Sequence, residues 1–167
     1  MDWAQRGRLL DEQIEVMREL WSKDVVDIDA DFHRIDRAGI APRPGRSIPI
    51  WLGGSSEVAM RRAARLGDGF TFASAGSRTV EMAEKLREIV AAANRDPGAY
   101  PIEFNMPYGL GPAKWETLTQ QAQDASISHL CINTMSVTSE WAGTPPSGLE
   151  SPGDHIDGLE RFMQLVR

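Results

Sequence analysis

Residues 48–72 read IPIWLGGSSEVAMRRAARLGDGFTF, and the order of residue types in this stretch decides the fold class. Ile48-Pro49-Ile50-Trp51-Leu52 is a short apolar run that ends at Gly53-Gly54. A run of that length, bounded by turn residues, predicts a strand buried on both faces. Pro49 has no N–H to give a ladder, so it belongs at the strand's start or edge. Ser55-Ser56 then precedes Glu57, Val58, Met60, Ala63, Ala64 and Leu66, which carry a helical pattern. Serine at the cap, Glu57 in the first turn and Gly67 after the last apolar residue are start and stop signals. Phe70-Thr71-Phe72-Ala73 predicts a second strand.

The same alternation continues downstream. Val80, Ala83, Leu86, Ile89, Val90 and Ala93 mark a helix from about Thr79 to Asn94, stopped by Asp96-Pro97-Gly98. Ile102 to Met106 alternates and predicts a third strand. A helix follows over about Ala113 to Asp124, then a fourth strand, His129-Leu130-Cys131-Ile132-Asn133. Thr134 to Gly153 is rich in Ser, Thr, Gly and Pro and reads as a loop. Asp154 caps a last helix that carries Ile156, Leu159, Phe162, Met163 and Val166 inward. Upstream, Leu10, Ile14, Met17 and Trp21 fall at i, i+4, i+7 and i+11, with Leu9, Val16 and Leu20 widening the stripe. These predict a helix over Arg6 to Trp21 with one buried face. Val25 to Gly45 has no clear helical period, and Pro42, Pro44 and Gly45 mark a loop. One helix followed by about four strand–helix repeats means parallel strands with right-handed crossovers. Both a small doubly wound sheet and half of a (β/α)8 barrel have that order.

Length and charge narrow the classes. The chain has 167 residues, the size of one domain, here read as spanning residues 1–167. A complete (β/α)8 barrel takes about 250 residues, more than this chain holds. Lys and Arg number 18 and Asp and Glu 24, a formal net charge of −6. Phosphate-backbone binding needs a basic face, so nucleic acid is not the expected partner. No apolar run approaches the roughly 20 residues of a membrane span. Met1-Asp2-Trp3-Ala4-Gln5-Arg6 lacks the apolar core of a signal peptide. Cys131 is the only cysteine, which leaves no intrachain disulfide and no cysteine-based zinc cluster. A cytoplasmic protein is expected.

A strand, two glycines and two serines opening a helix form a recipe for anion binding. Glycines let a ligand approach the backbone, and the free N–H groups of the first turn favour a phosphate. Ser55 and Ser56 add hydroxyl donors. The competing reading is a tight turn with a serine that only caps the helix, and spacing alone leaves both open. The dinucleotide fingerprint G-x-G-x-x-G is absent. His33, in a variable loop beside Asp31, Arg34 and Asp36, reads as a surface histidine, and His129 and His155 have no second histidine or carboxylate at metal spacing, so no metal is assigned. Arg61, Arg62 and Arg65 cluster on the helix behind the glycines, where a solvated face is the plain reading. Cys131 reads as a small buried hydrophobe, and Asp68, between two glycines, as support for a turn. Trp51 and Phe72 read as core aromatics. Asn105 and Asn133 stand near strand ends, where no spacing rule gives them a catalytic role.

Several of these segments, taken in order, resemble the second half of the luciferase-like monooxygenase superfamily, in particular its bacterial oxidoreductases that use F420 or FMN. They are Arg6 to Val16 with Leu20-Trp21, Phe32-His33, Pro42 to Pro44, Pro49 to Ser56, Ala63 to Phe70, Arg95-Asp96-Pro97 and Asp154 to Phe162. The resemblance implies a partial (β/α)8 TIM-type barrel of about four C-terminal βα units, with the cofactor at the carboxyl ends of the strands. It implies that Gly53, Gly54, Ser55 and Ser56 help hold the phosphate of F420 or FMN. The Ser56 hydroxyl and the backbone N–H groups of the other three would make the contacts. Arg61, Arg62 and Arg65 would guide the polyglutamate tail of F420, and Trp51 and Phe72 would lie near a flavin ring. The implied activity is redox chemistry on a small organic substrate. The superfamily's first four or so strands have no counterpart, and with them go most of the ring pocket and the candidate proton donors. No catalytic residue is therefore assigned. A truncated chain, inactive alone, is expected, and a non-catalytic flavin-binding or interaction half-barrel is the alternative. A half-barrel has two free edges, so a homo-oligomer or a complementing N-terminal half is expected as partner.

Overall fold

A computed structural model describes residues 3–135 and 144–166. The chain divides into two units, residues 1–50 and 51–167. The first opens with a 3-10 turn, Trp3–Gln5, and continues into α1, Arg6–Ser22. Ile14 and Val16 are buried on α1, Met17 and Trp21 are half-buried, and Leu10 is exposed. The expected stripe of Leu10, Ile14, Met17 and Trp21 therefore holds its helix but not its full burial.

Residues 25–45 are more ordered than their loop reading. They hold an antiparallel hairpin of β1, Val26–Asp29, and β2, Arg34–Ala38, with a register shift between Val26 and Ile28. Val26 is buried and Ile28 and Ile35 half-buried, while Asp27, Asp29 and Asp36 face water, the period of two of a half-buried strand. One carboxylate on α1 fastens the turn. Glu12 Oε1 accepts the N–H groups of Phe32 at 2.9 Å and His33 at 2.7 Å, and lies 2.7 Å from His33 Nδ1. Burial works to raise the Glu12 carboxyl, but the His33 ring and these amides outweigh it and hold the carboxyl below its ordinary range.

The second unit runs β3 (Trp51–Gly53), α2 (Glu57–Leu66), β4 (Gly69–Phe72), α3 (Ser77–Ala92), β5 (Ile102–Pro107), α4 (Pro112–Asp124), β6 (His129–Asn133) and α5 (Pro152–Leu165). A 3-10 turn, Tyr108–Leu110, leads into α4. The four strands form one parallel sheet in sequence order, β3-β4-β5-β6. β3 starts later than its sequence suggested, at Trp51, and leaves Pro49 outside the ladder. Trp51 and Leu52 are half-buried rather than buried, because β3 pairs on one side only among the described residues.

Side-chain alternation gives the sheet two unlike faces. Phe70, Phe72, Ile102 and Phe104 point into a core with Met60, Ala63, Ala83, Leu86 and Val90 of α2 and α3. Met106 joins Trp115, Leu118 and Phe162 in a second cluster under α4 and α5. The rings of Phe70, Phe72 and Phe104 meet edge to face at 4.8 and 6.0 Å, a favoured aromatic geometry. Glu103 and Asn105 alternate with the buried residues of β5 and stay half-buried on the other face.

α5 departs from expectation at both its start and its face. Ser151 is the N-cap. Asp154, three residues on, accepts the Ser151 N–H at 2.7 Å and donates its own N–H to Ser151 Oγ at 3.2 Å, a reciprocal capping box. Phe162 is buried against Trp115, but Ile156, Leu159 and Met163 are exposed rather than inward. Much of the loop expected over Thr134 to Gly153, residues 136–143, lies outside the described residues.

Tyr100 ties α2 to the approach of β5. Its hydroxyl donates to the Ala63 carbonyl at 2.9 Å, and Arg95 lies 4.8 Å over its ring. Burial pushes its phenol up to about 12. The folded state therefore holds the proton more tightly than the unfolded chain, whose tyrosine titrates near 10. Tyr100's contribution is intact below about pH 10 and is lost as pH rises towards about 12. Tyr100→Phe should flatten that part of the alkaline denaturation curve, and an unchanged curve would show that Tyr100 is not its source.

Candidate functional site

The carboxyl ends of β3 and β4 lead into two turns that share a cavity of about 520 Å3. The register pairs Gly53 with Thr71, so the two strands end side by side. Gly54 and Ser55 of the first turn line the cavity together with Ser74, Gly76, Ser77 and Arg78 of the second.

Each glycine has a steric reason. A Cβ on Gly53 would stand 3.1 Å from the Thr71 methyl. Gly54 has φ +144°, a conformation L side chains rarely adopt, and a Cβ there would stand 3.0 Å from Ala59 Cβ. Ser56 is the N-cap of α2, its Oγ accepting the Ala59 N–H at 3.3 Å. Among the four residues singled out in the sequence, Gly54 and Ser55 line the cavity, while Gly53 and Ser56 flank them. Glu57 follows, with its carboxyl held low by hydrogen bonds from Lys85 and Arg61.

The second wall was not singled out. α3 starts at Gly76, φ +135°, with no side-chain cap. A Cβ on Gly76 would meet nothing within 4 Å, so the space before it is open. Ser74 Oγ lies 3.4 Å from Thr79 Oγ1, and Arg78 brings a guanidinium to the rim. The signal was in the sequence: Ala73-Ser74-Ala75-Gly76-Ser77 repeats the order of strand, small residues and serine that marks Gly53 to Ser56. Two helix starts, several small hydroxyl side chains and one cation fit a phosphate in size and sign.

The remaining candidates are distributed elsewhere. Trp51 lies over Gly69 and meets His129 edge to face at 5.0 Å. Phe72 is the exception: it is buried in the helical core and also lines the floor of the cavity. Thr71 Oγ1 donates to Glu103 Oε1 at 2.8 Å, and Asn105 Nδ2 lies 3.9 Å from Cys131 Sγ. Burial, and then the Glu103 charge, push the Cys131 thiol up, away from a reactive thiolate. Asn133 Oδ1 accepts the Met135 N–H. Arg61 pairs with Glu57, and Arg61, Arg62 and Arg65 line a groove between α2 and α3 that ends at Arg95. That groove lies along the helices, running from Val58 towards the far end of α2. His33, His129 and His155 meet Glu12, Ser128 and Thr134. Among the described residues no cluster of His, Cys, Asp and Glu could hold a metal, and no helix is long and apolar enough to cross a membrane.

A consecutive parallel sheet with helices over one face, and a cavity where β3 and β4 end, is the architecture of a barrel-type α/β scaffold. A sequence model of the luciferase-like monooxygenase family matches residues 1–140, and the chain belongs to that family. The F420-dependent glucose-6-phosphate dehydrogenase of Mycolicibacterium smegmatis is 36% identical over 117 residues, 66% of this chain and 34% of that protein. The protein of that name from Intrasporangium calvum is 25% identical over 98% of this chain and 54% of its own length. The pyrimidine monooxygenase RutA of Allorhizobium ampelinum is 33% identical over 71% of this chain and 34% of its own length. The chain thus spans between a third and just over half of these relatives. A solved F420-dependent secondary alcohol dehydrogenase superposes on all of this chain and 64% of its own, with TM-score 0.68 and 16% identity. A long-chain alkane monooxygenase superposes on 99% of this chain and 50% of its own, with TM-score 0.56 and 12% identity. These likenesses carry the fold: four βα units that cover part of a TIM-type barrel.

Proposed function

We propose that this chain is the cofactor-holding C-terminal half of an F420- or FMN-dependent oxidoreductase acting on a small organic substrate. The cavity shared by the β3–α2 and β4–α3 turns carries the reading. Its backbone N–H groups, its serines and Arg78 would hold the cofactor's phosphate, with Gly53 and Ser56 shaping the first turn. The bound cofactor supplies the hydride or oxygen chemistry; the protein supplies binding and orientation. Names of relatives support this: dehydrogenases that use F420 stand beside monooxygenases. All 167 residues are read as one barrel half, matching between a third and just over half of the length of its relatives. A single cysteine, with no disulfide to form in the chain, supports a reducing compartment such as the cytoplasm.

Titration of F420 and of FMN, followed by fluorescence, tests the site. Gly54→Asp puts a carboxylate and a disallowed Cβ into the cavity. Ser55→Asp adds the same charge at an exposed position, so it separates lost binding from lost folding. A helix-start contact is worth roughly 0.3–2 kcal/mol, and repulsion adds to its loss, so affinity should fall about tenfold or more. Equal affinity in parent and Ser55→Asp would remove the phosphate from this cavity.

A further inference from the structure

One side chain in the cavity between the β3–α2 and β4–α3 turns is buried without a firm protein partner. Thr79, in the first turn of α3, lines the cavity and is 5% exposed. Its Oγ1 lies 3.4 Å from Ser74 Oγ, beyond the roughly 2.5–3.0 Å of an ordinary bond between hydroxyls. A helical threonine can instead turn its hydroxyl back to the carbonyl one turn earlier, as Thr117 does to Ala113 at 2.8 Å. Among the described residues Thr79 Oγ1 makes no such bond, and Ser74 is its one partner. A buried hydroxyl so loosely held costs stability, and native proteins keep few of them. The other polar groups of this wall are donors. α3 opens at Gly76 with no side-chain cap on its first N–H groups. A guanidinium such as that of Arg78 donates and cannot accept. Among the described residues no Asp or Glu lines the cavity.

We propose that Thr79 is a ligand-binding residue of this cavity, its hydroxyl donating to an oxygen of an ionised phosphate ester, with the Ser74 hydroxyl as a second donor. The inference rests on the phosphate reading of the cavity and adds to it a residue and a rule of selection. A hydroxyl can donate or accept. Beside helix-start N–H groups and a guanidinium, the group that satisfies Ser74 and Thr79 is an acceptor. An ionised phosphate offers acceptors alone, several oxygens around one centre. A ligand hydroxyl or amide would bring a further donor among donors. Ser74 is exposed and Thr79 buried, so the pair runs from the cavity's mouth to its inner wall. The inner contact is shielded from water, where a hydrogen bond to a charged oxygen is strong and its loss is felt. The cavity therefore separates a phosphate-bearing cofactor from its dephosphorylated form through a hydroxyl as well as through charge. A group kept for a ligand weakens the fold that carries it, and the loose Ser74–Thr79 contact is that cost.

Thr79→Val removes the hydroxyl and keeps the branched shape. Without ligand its urea midpoint should equal or exceed the parent's, because no firm protein bond is lost. Affinity for FMN and for F420, followed by fluorescence, should fall about tenfold or more, the worth of one hydrogen bond to a charged group. Thr79→Ser should recover most of that loss. Calorimetry with inorganic phosphate should show the same fall, while riboflavin, which lacks the phosphate, should behave alike on parent and variant. A lowered midpoint, or an equal loss for FMN and riboflavin, assigns Thr79 to the fold and overturns the proposal. So does a Thr79→Ser variant no better than Thr79→Val. If Thr79→Val binds FMN or F420 as the parent does while Ser55→Asp does not, the Thr79 contact is refuted and the cofactor reading stands. If the parent binds neither cofactor but binds inorganic phosphate through Thr79, the cofactor reading fails and the anion contact stands. A parent that binds none of them overturns both.

Discussion

Ile14→Asp should unfold the helix–hairpin unit, and Leu10→Asp should leave it standing. Both residues lie on α1, one turn apart, and the sequence gives them equal claim to the core. The structure separates them: Ile14 is 1% exposed and Leu10 36%. A carboxylate at Ile14 would be buried without a cation or donor built to receive it. That costs several kcal/mol, comparable with a domain's whole stability of about 5–15 kcal/mol. At Leu10 the new carboxylate reaches water, and the change should stay within about 1 kcal/mol. Urea denaturation followed by far-ultraviolet circular dichroism measures both. Equal midpoints for the two variants would mean that α1 is turned differently about its axis.

That contrast marks what spacing can tell. Leu10, Ile14, Met17 and Trp21 share a line on the helix, and the period shows that the line exists. How much of it is covered depends on the neighbours, which the period does not contain. α5 repeats the lesson. Phe162 finds Trp115 and is buried, while Ile156, Leu159 and Met163 on the same reading are exposed. Strands were more legible, because a parallel strand must present apolar residues to the helices above it. β6 has the bounds read from the sequence, His129–Asn133, and β5 extends one residue beyond its reading. The hairpin was hidden for the opposite reason. In Val26-Asp27-Ile28-Asp29 every second residue is charged, so the apolar content is low, and Pro42, Pro44 and Gly45 nearby favoured a loop. Its attachment through Glu12 joins residues about twenty positions apart and has no local signature.

The cavity was half legible. Gly53-Gly54-Ser55-Ser56 stands out because glycines and serines follow an apolar run. Its partner turn, Ser74 to Arg78, carries the same types in a weaker order. What joins them is register: Trp51 opposite Gly69, Leu52 opposite Phe70, Gly53 opposite Thr71. Only strands paired in that phase end at one level and bring their turns to one cavity. Register arises from packing across the sheet, and the sequence of either turn does not contain it.

Phe104→Ala should cost about 3–5 kcal/mol, and its neighbour Asn105→Ala under about 1 kcal/mol. The two residues are adjacent on β5 and point to opposite faces. Phe104 is 0% exposed, lies level with Phe72 on one side and Leu130 on the other, and meets the Phe72 ring at 6.0 Å. Truncation leaves a ring-sized void in the layer between strands and helices, where neighbours on three elements would have to move to fill it. Asn105 stands half-buried on the face away from the helical core, where its amide lies 3.9 Å from the Cys131 sulfur. Guanidinium denaturation of the two variants tests which face the helices cover. If Asn105→Ala were the costlier change, β5 would sit one residue out of phase, because a single-residue slip exchanges the two faces of a strand.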